Sequence, residues 1–201
     1  MKLYCATTNP GKLREFRQAV ERFGGGRIEL EPVPGLRGIA PCEETGAAFE
    51  ENAAQKAVYY SRWAPGPVFA DDSGLEVPAL GGEPGVYSAR YAGPGADDEA
   101  NNRLLLERMA GVEDRRARFV CVAALAERGS LLASFRGVVE GEITAAPRGR
   151  NGFGYDPLFF YAPFGCTFGE ADAEQKLSVS HRSRALEQMV RWLLGAKNTA
   201  R

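Results

Sequence analysis

The apolar positions of the chain fall into two rhythms. Leu13, Phe16, Val20 and Phe23 recur at helical spacing, as do Phe49, Ala53, Ala57 and Tyr60. Leu105 with Met109, and then Leu186, Val190 and Leu193, repeat that spacing further along. Each set predicts a helix with one buried face. Between them lie the continuous apolar runs Leu3-Tyr4-Cys5 and Val68-Phe69-Ala70, the valine-rich, partly alternating stretch 117–126, and the mixed stretches 28–33 and 131–139. Runs of this length with β-branched and aromatic residues predict strands. The turn Glu127-Arg128-Gly129-Ser130 predicts that the last two pair antiparallel, and residues 141–144 predict a short third strand beside them. Strands alternating with helices in this way define an α/β domain with a mixed sheet.

The punctuation supports these boundaries. Asn9 is a good N-cap and Pro10 stands at the first helical position, where its missing N–H costs nothing. Gly24-Gly25-Gly26 ends that helix. The second helix is expected over residues 47–63, with Asn52 and Lys56 bordering its apolar stripe. The run Val68-Phe69-Ala70 then meets Asp71-Asp72-Ser73-Gly74, which predicts a strand halted by an acidic turn. Successive strand side chains point to opposite faces, so Asp71 and Asp72 are expected to do different jobs. Asp97 or Asp98 caps the third helix and Ser180 the last. Residues 147–154 form a glycine-rich loop leading into Tyr155-Asp156-Pro157-Leu158-Phe159-Phe160, of which Phe159 and Phe160 are core candidates.

Composition narrows the function classes. The 201 residues, 44% hydrophobic and 25% charged, suffice for one sizeable soluble domain over 1–201. Net charge is −1 without blocks of like charge, so neither a nucleic-acid partner nor a membrane surface is expected. A polyphosphate ligand would have to meet a local cluster of cations. No signal-like segment or apolar run of membrane-spanning length occurs, which predicts a cytoplasmic protein. Cys5, Cys42, Cys121 and Cys166 lack C-x-x-C spacing, so buried free thiols are expected in place of zinc or redox chemistry.

Candidate chemistry concentrates at two helix starts and in the loops. A helix N-terminus favours acids in its first turn, yet Lys12 and Arg14 occupy one such turn, and His181, Arg182 and Arg184 the other. Cations placed against the dipole make sense if an anion sits there. Singly, each feature is ordinary: a solvated lysine, a structural histidine. The acids Glu43, Glu44, Asp71 and Asp72 are hard oxygen ligands suited to magnesium, which takes one or two carboxylates and leaves the rest to water and phosphate. Phe153, flanked by glycines, can stack on a planar base. No G-x-S-x-G elbow accompanies the single histidine, so a nucleophilic triad is disfavoured.

Seven motifs occur in order along nearly the whole chain: Thr7-Thr8-Asn9-Pro10-Gly11-Lys12, Glu43-Glu44-Thr45-Gly46, Asn52 with Lys56, Ala70-Asp71-Asp72-Ser73-Gly74-Leu75, Pro84-Gly85-Val86-Tyr87-Ser88-Ala89-Arg90-Tyr91, Gly152-Phe153-Gly154-Tyr155-Asp156-Pro157 and Ser180-His181-Arg182. Together they resemble the inosine-triphosphate pyrophosphatase family. The resemblance implies an elongated mixed β-sheet flanked by helices, with two lobes enclosing a central cleft, and a homodimer. It implies Mg2+-dependent hydrolysis of ITP, dITP and XTP to the monophosphate and pyrophosphate. By position, Asp72 corresponds to the general base and a metal ligand, and Glu43 to the other metal carboxylate. Thr7, Thr8, Asn9, Pro10, Gly11, Lys12, Lys56 and Ser73 correspond to triphosphate and sugar contacts. Phe153, Gly154, Tyr155, Asp156, Lys176, His181 and Arg182 correspond to the base pocket. Tyr155 stands where some members carry tryptophan, and Gln175 where an acid is frequent. A pyrophosphatase for another modified base, such as a methylated pyrimidine, and a non-catalytic nucleotide sensor are the competing readings.

Overall fold

Strand β1, Lys2–Cys5, lies in the interior of the sheet, as its unbroken apolar run predicts, with Leu3, Tyr4 and Cys5 buried. The computed structural model describes residues 1–196; positions 197–201 of the expected domain lie outside the described residues. Parallel neighbours β2 (Glu29–Pro32) and β3 (Val68–Glu76) flank β1. Strands β4 (Arg116–Glu127), β5 (Ser130–Ile143), β6 (Phe159–Tyr161) and β7 (Cys166–Thr167) complete a seven-stranded sheet in the order β2-β1-β3-β4-β5-β6-β7. β5, β6 and β7 pair antiparallel, so the sheet is mixed. The chain divides into two compact units: Met1–Asp72, Cys121–Gly137 and the segment from His181 onward form the first, and Ser73–Val120 with Val138–Ser180 the second.

In the first unit, helix α1 (Pro10–Gly24) starts as predicted. Asn9 Oδ1 accepts from the Lys12 N–H at 3.0 Å, and Gly25 ends the helix at φ 53°, a conformation that favours glycine. α1 packs against α5 (His181–Ala196), whose Leu186, Val190 and Leu193 are buried. Helix α2 spans Phe49–Tyr60, shorter at both ends than the pattern predicts. At its start the Gly46 and Ala47 N–H groups are taken by the Asn52 and Glu51 side chains, which holds that segment off the helix. At its end Ser61 donates to the Val58 carbonyl, and the following Pro65 and Pro67 exclude continuation.

The second unit is built around Leu75, Val77, Leu105, Met109, Phe119, Ile143, Leu158, Phe159 and Phe168. Helix α3 (Asp98–Arg108) is capped by Asp97, which accepts from Ala100 N at 2.8 Å. A further helix, α4 (Ala173–Val179), has no strong apolar period but carries a capping box between Asp172 and Gln175. Gln175 thus has a local role in starting α4.

Two expectations are corrected. β3 does not halt at the acids: it runs through Asp71-Asp72-Ser73-Gly74 to Glu76. Strand geometry survives there because each carboxylate has a cationic partner, and because Gly74 lets the Gly85 carbonyl and Ser88 hydroxyl approach where a Cβ would stand 2.4 Å from each. The separate strand expected at residues 141–144 is instead the end of β5, which continues unbroken to Ile143. Phe159 lies in the core as expected, while Phe160 is only half-buried.

Candidate active site

Asp71 and Asp72 leave β3 on opposite faces and meet different helices. Asp71, 5% exposed, accepts from Lys12 Nζ of α1 at 2.8 Å. Asp72, 6% exposed, accepts from two side chains of α2: Lys56 Nζ on Oδ1 at 3.1 Å and Asn52 Nδ2 on Oδ2 at 3.2 Å. Asn52 and Lys56 are one helical turn apart and therefore share a face. Lys56 Nζ also lies 3.2 Å from Glu44 Oε1. Two carboxylates from separate segments thus converge on one cation.

The electrostatics separate the two aspartates. Burial alone would raise the Asp71 carboxyl, but the charges of Lys12, Lys56 and Arg182, with the Lys12 hydrogen bond, override it and hold it at about 2. For Asp72 the balance goes the other way. Burial raises its pKa, Lys56 opposes this, and the nearby charges of Asp71 and Glu44 add to the rise. Lys56 is itself pushed up: desolvation is the largest influence and works against its charge, but Asp72, Asp71 and Glu44 together outweigh it. A raised carboxyl facing a raised ammonium is consistent, because one cation is shared among several acids.

The two helix starts that carry cations differ in exposure. Thr8, Asn9 and Pro10 are exposed, and Thr7, Gly11 and Lys12 half-buried, so this segment presents itself to solvent ahead of α1. Thr7 Oγ1 accepts from Asn9 N at 3.2 Å. His181 and Arg182, at 1% and 7% exposure, begin α5, and Glu15 of α1 takes Arg182 Nη1 at 3.0 Å, which orients the guanidinium. Gly137 of β5 makes this placement possible: a Cβ there would stand 2.0 Å from the His181 carbonyl oxygen. Glu43 is exposed; among the two glutamates, Glu44 makes the contact to Lys56.

In the second unit, Asp156 gathers the aromatic loop. Its Oδ2 accepts from Phe153 N at 2.8 Å and from Lys176 Nζ at 2.5 Å. Gly152, at φ 73°, is required, since a Cβ would fall 1.9 Å from that same oxygen. Lys176 Nζ stands 5.0 Å from the centre of the half-buried Phe153 ring, within cation–π range. Gly154 is pinned by Asp98, which accepts from its N–H at 2.6 Å, and by Asn102, which donates to its carbonyl at 3.0 Å. Tyr155 is buried, its hydroxyl donating to the Ser88 carbonyl at 2.8 Å. Ser73, half-buried, opens the second unit. Beside the loop a cavity of about 430 Å³ is walled by Asp98, Asn102, Arg103 and Phe153; neither Lys176 nor Asp156 lines it.

Glu15 joins these constellations although the sequence assigned it no role, and Asn52, marked there only as the polar neighbour of Lys56, is the residue that holds Asp72. The available signal was a polar pair at helical spacing beside the buried stripe of α2. No group of three or more His, Cys, Asp or Glu is gathered as a metal cluster among the described residues. The two carboxylates converging on Lys56 nevertheless fit magnesium, which needs only one or two when phosphate and water complete its shell.

An α/β fold with paired acids on a central strand and cations at helix starts defines the class, and comparison with known proteins specifies it. The Ham1 family model matches residues 3–192, and the chain belongs to the Ham1 family. A protein of Syntrophobacter fumaroxidans named dITP/XTP pyrophosphatase is 50% identical over 198 residues, covering 95% of this chain and 84% of its own. A Thermus thermophilus protein of the same name is 47% identical over 192 residues, covering 94% and 90%. Among solved structures, the Staphylococcus aureus Ham1 protein superposes with a TM-score of 0.85 at 39% identity, covering 98% of this chain and 100% of its own. The Mycobacterium abscessus nucleoside-triphosphatase, dITP/XTP pyrophosphatase, gives 0.73 at 40% identity, with 96% and 100% covered. No helix among the described residues is long and apolar enough to cross a membrane.

Proposed function

We propose that the protein is a cytoplasmic, magnesium-dependent nucleoside-triphosphate pyrophosphatase that converts ITP, dITP and XTP to the monophosphate and pyrophosphate. The observation that carries this reading is the convergence of Glu44 and Asp72 on Lys56, with Lys12 paired to the neighbouring Asp71. The names of the relatives at 47–50% identity point to the same substrates.

Hydrolysis at the α-phosphorus builds charge on phosphate oxygens and on the leaving pyrophosphate. Asp72 orients water and takes its proton; a carboxyl pushed above the ordinary range is a better base than an exposed one. Lys12 and Lys56 place positive charge for the triphosphate, with the segment from Thr7 to Gly11 offering backbone and hydroxyl donors. Carboxylates of Asp72 and of Glu43 or Glu44 would hold magnesium, which when bound neutralises phosphate charge and lowers the pKa of water. Phe153 offers a ring for stacking, and Gly154, Tyr155, Asp156 and Lys176 shape that loop. Arg182 and His181 donate to the keto oxygen at position 6 of inosine or xanthine. Adenine presents an amino donor there, leaving buried donors unpaired at a cost of roughly 1–3 kcal/mol. A homodimer completes the reading, and sedimentation at working concentration tests it.

The deciding experiment measures kcat/KM for ITP, XTP, GTP and ATP with pyrophosphate detection, with and without magnesium. ITP and XTP turnover that requires the metal is expected, with ATP at least about tenfold poorer. Asp72→Asn should lose about 10²–10⁴ in kcat with its fold intact; near-full turnover would remove Asp72 from the mechanism. Tight nucleotide binding without hydrolysis by the wild type would replace the enzyme reading with that of a sensor.

A further inference from the structure

We propose that Asn52 is the positioning residue for Asp72, tying it to the loop that carries Glu43 and Glu44; this rests on reading Asp72 as the base. Asn52 is 1% exposed on α2. Its Oδ1 accepts from Gly46 N at 2.8 Å, and its Nδ2 donates to Asp72 Oδ2 at 3.2 Å. The amide orientation is unambiguous, because a backbone N–H can face only the oxygen, which leaves the NH₂ for the carboxylate. One side chain therefore spans two acid-bearing segments, the Glu43-Glu44-Thr45-Gly46 loop and β3.

Gly46 is fitted to this role. A Cβ at that position would stand 2.7 Å from Asn52 Oδ1 and 2.6 Å from Glu51 Cβ, so the loop can approach the amide this closely only without one. The Ala47 N–H is fixed in the same way by Glu51 Oε2 at 2.8 Å. Lys56 takes the other oxygen of Asp72 from the next turn of the same helix. Lys56 also contacts Glu44, so it serves as a charge, whereas Asn52 is neutral and serves as a fixed reference. A carboxylate displaced by about 1 Å loses on the order of 10²-fold in rate.

The test uses the full-length protein with ITP. Asn52→Leu, close in volume but unable to make either bond, should lower kcat at least about tenfold and change KM less than about threefold. Gly46→Ala should lower kcat in the same direction by a smaller factor. The double variant should fall no further than Asn52→Leu alone, since both substitutions act through one amide. Ser61→Ala serves as the stability control. It removes a buried hydroxyl of the same unit that accepts from Gly129 N at 2.9 Å, and it should lower Tm while leaving kcat unchanged. Wild-type kcat in Asn52→Leu, additive losses in the double variant, or an equal kcat loss in Ser61→Ala would each overturn the proposal. If Asn52→Leu does not fold, Gly46→Ala decides, and unchanged kcat there overturns it. The underlying reading fails separately: Asp72→Asn retaining turnover removes the base itself, whereas its collapse beside a fully active Asn52→Leu removes only the positioning role.

Discussion

Asp71 and Asp72 are neighbours of identical chemistry placed in opposite electrostatic situations. Asp71 sits among Lys12, Lys56 and Arg182 and is held at about 2, below its ordinary 3.8. Because its folded pKa is depressed, folding favours the ionised form, and the stabilisation is fully present above the unfolded pKa. It is lost as pH falls through about 2, and on this shift it is worth on the order of 2 kcal/mol. Asp71→Asn resembles the protonated acid in shape. Urea unfolding should therefore show the variant less stable by about that amount near pH 6, with the gap closing as pH approaches about 2. A gap that stays constant with pH would detach Asp71 from the cation cluster. At this scale the sequence was informative about residue types and less so about pairings. Lys12, the two aspartates and the Asn52–Lys56 pair stood out, whereas Glu15 and the bonds that Asn52 makes did not, because the partners lie on other elements and only folding brings them together.

At the scale of elements, the sequence marked helices wherever an apolar stripe met a cap, as in α1 with Asn9 and α3 with Asp97. It failed where tertiary partners override local preference. β3 carries two acids and a Ser-Gly pair through a strand because the acids are ion-paired and Gly74 admits close neighbours. α4 has only seven residues, too short for a hydrophobic period to register. The start of α5 shows an element placed by a glycine elsewhere. Gly137→Ala would put a Cβ 2.0 Å from the His181 carbonyl oxygen, so α5 must shift at its first turn. Overpacking of this kind costs typically about 1–3 kcal/mol. The variant should lower Tm and also narrow the ITP-to-ATP ratio of kcat/KM, as Arg182→Ala should do directly. An unchanged ratio in Arg182→Ala would remove it from base recognition.

Considered whole, the molecule has a net charge of −1 and meets a polyanionic substrate without a positive field. Lys12, Lys56, Lys176 and Arg182 are each already ion-paired with an acid of the chain. A triphosphate arriving alone would have to compete with Asp71, Asp72 and Glu44 for those cations. Removing divalent metal with EDTA should therefore weaken binding of a non-hydrolysable ITP analogue at least about tenfold by calorimetry, apart from any effect on turnover. Equal affinity with and without the metal would show that the lysines alone carry the phosphate charge. The α/β class and mixed sheet were legible from the alternation of strands and helices. The division into two units was not, since it depends on which distant segments pack together.

That division has a consequence for how the protein is made. The first unit is assembled from three stretches of chain, with the whole second unit supplied between them. Glu15 waits 167 residues for Arg182, and α1 cannot cover its apolar face until α5 has been synthesised. The nascent chain can complete the two stretches of the second unit, through Ser180, before the unit carrying the acids closes. Contacts of such long sequence separation form late and slowly. The unit that carries Asp71 and Asp72 thus stays open during translation until α5 has left the ribosome, and a chain interrupted before Arg182 carries its acids without the helix that packs on α1.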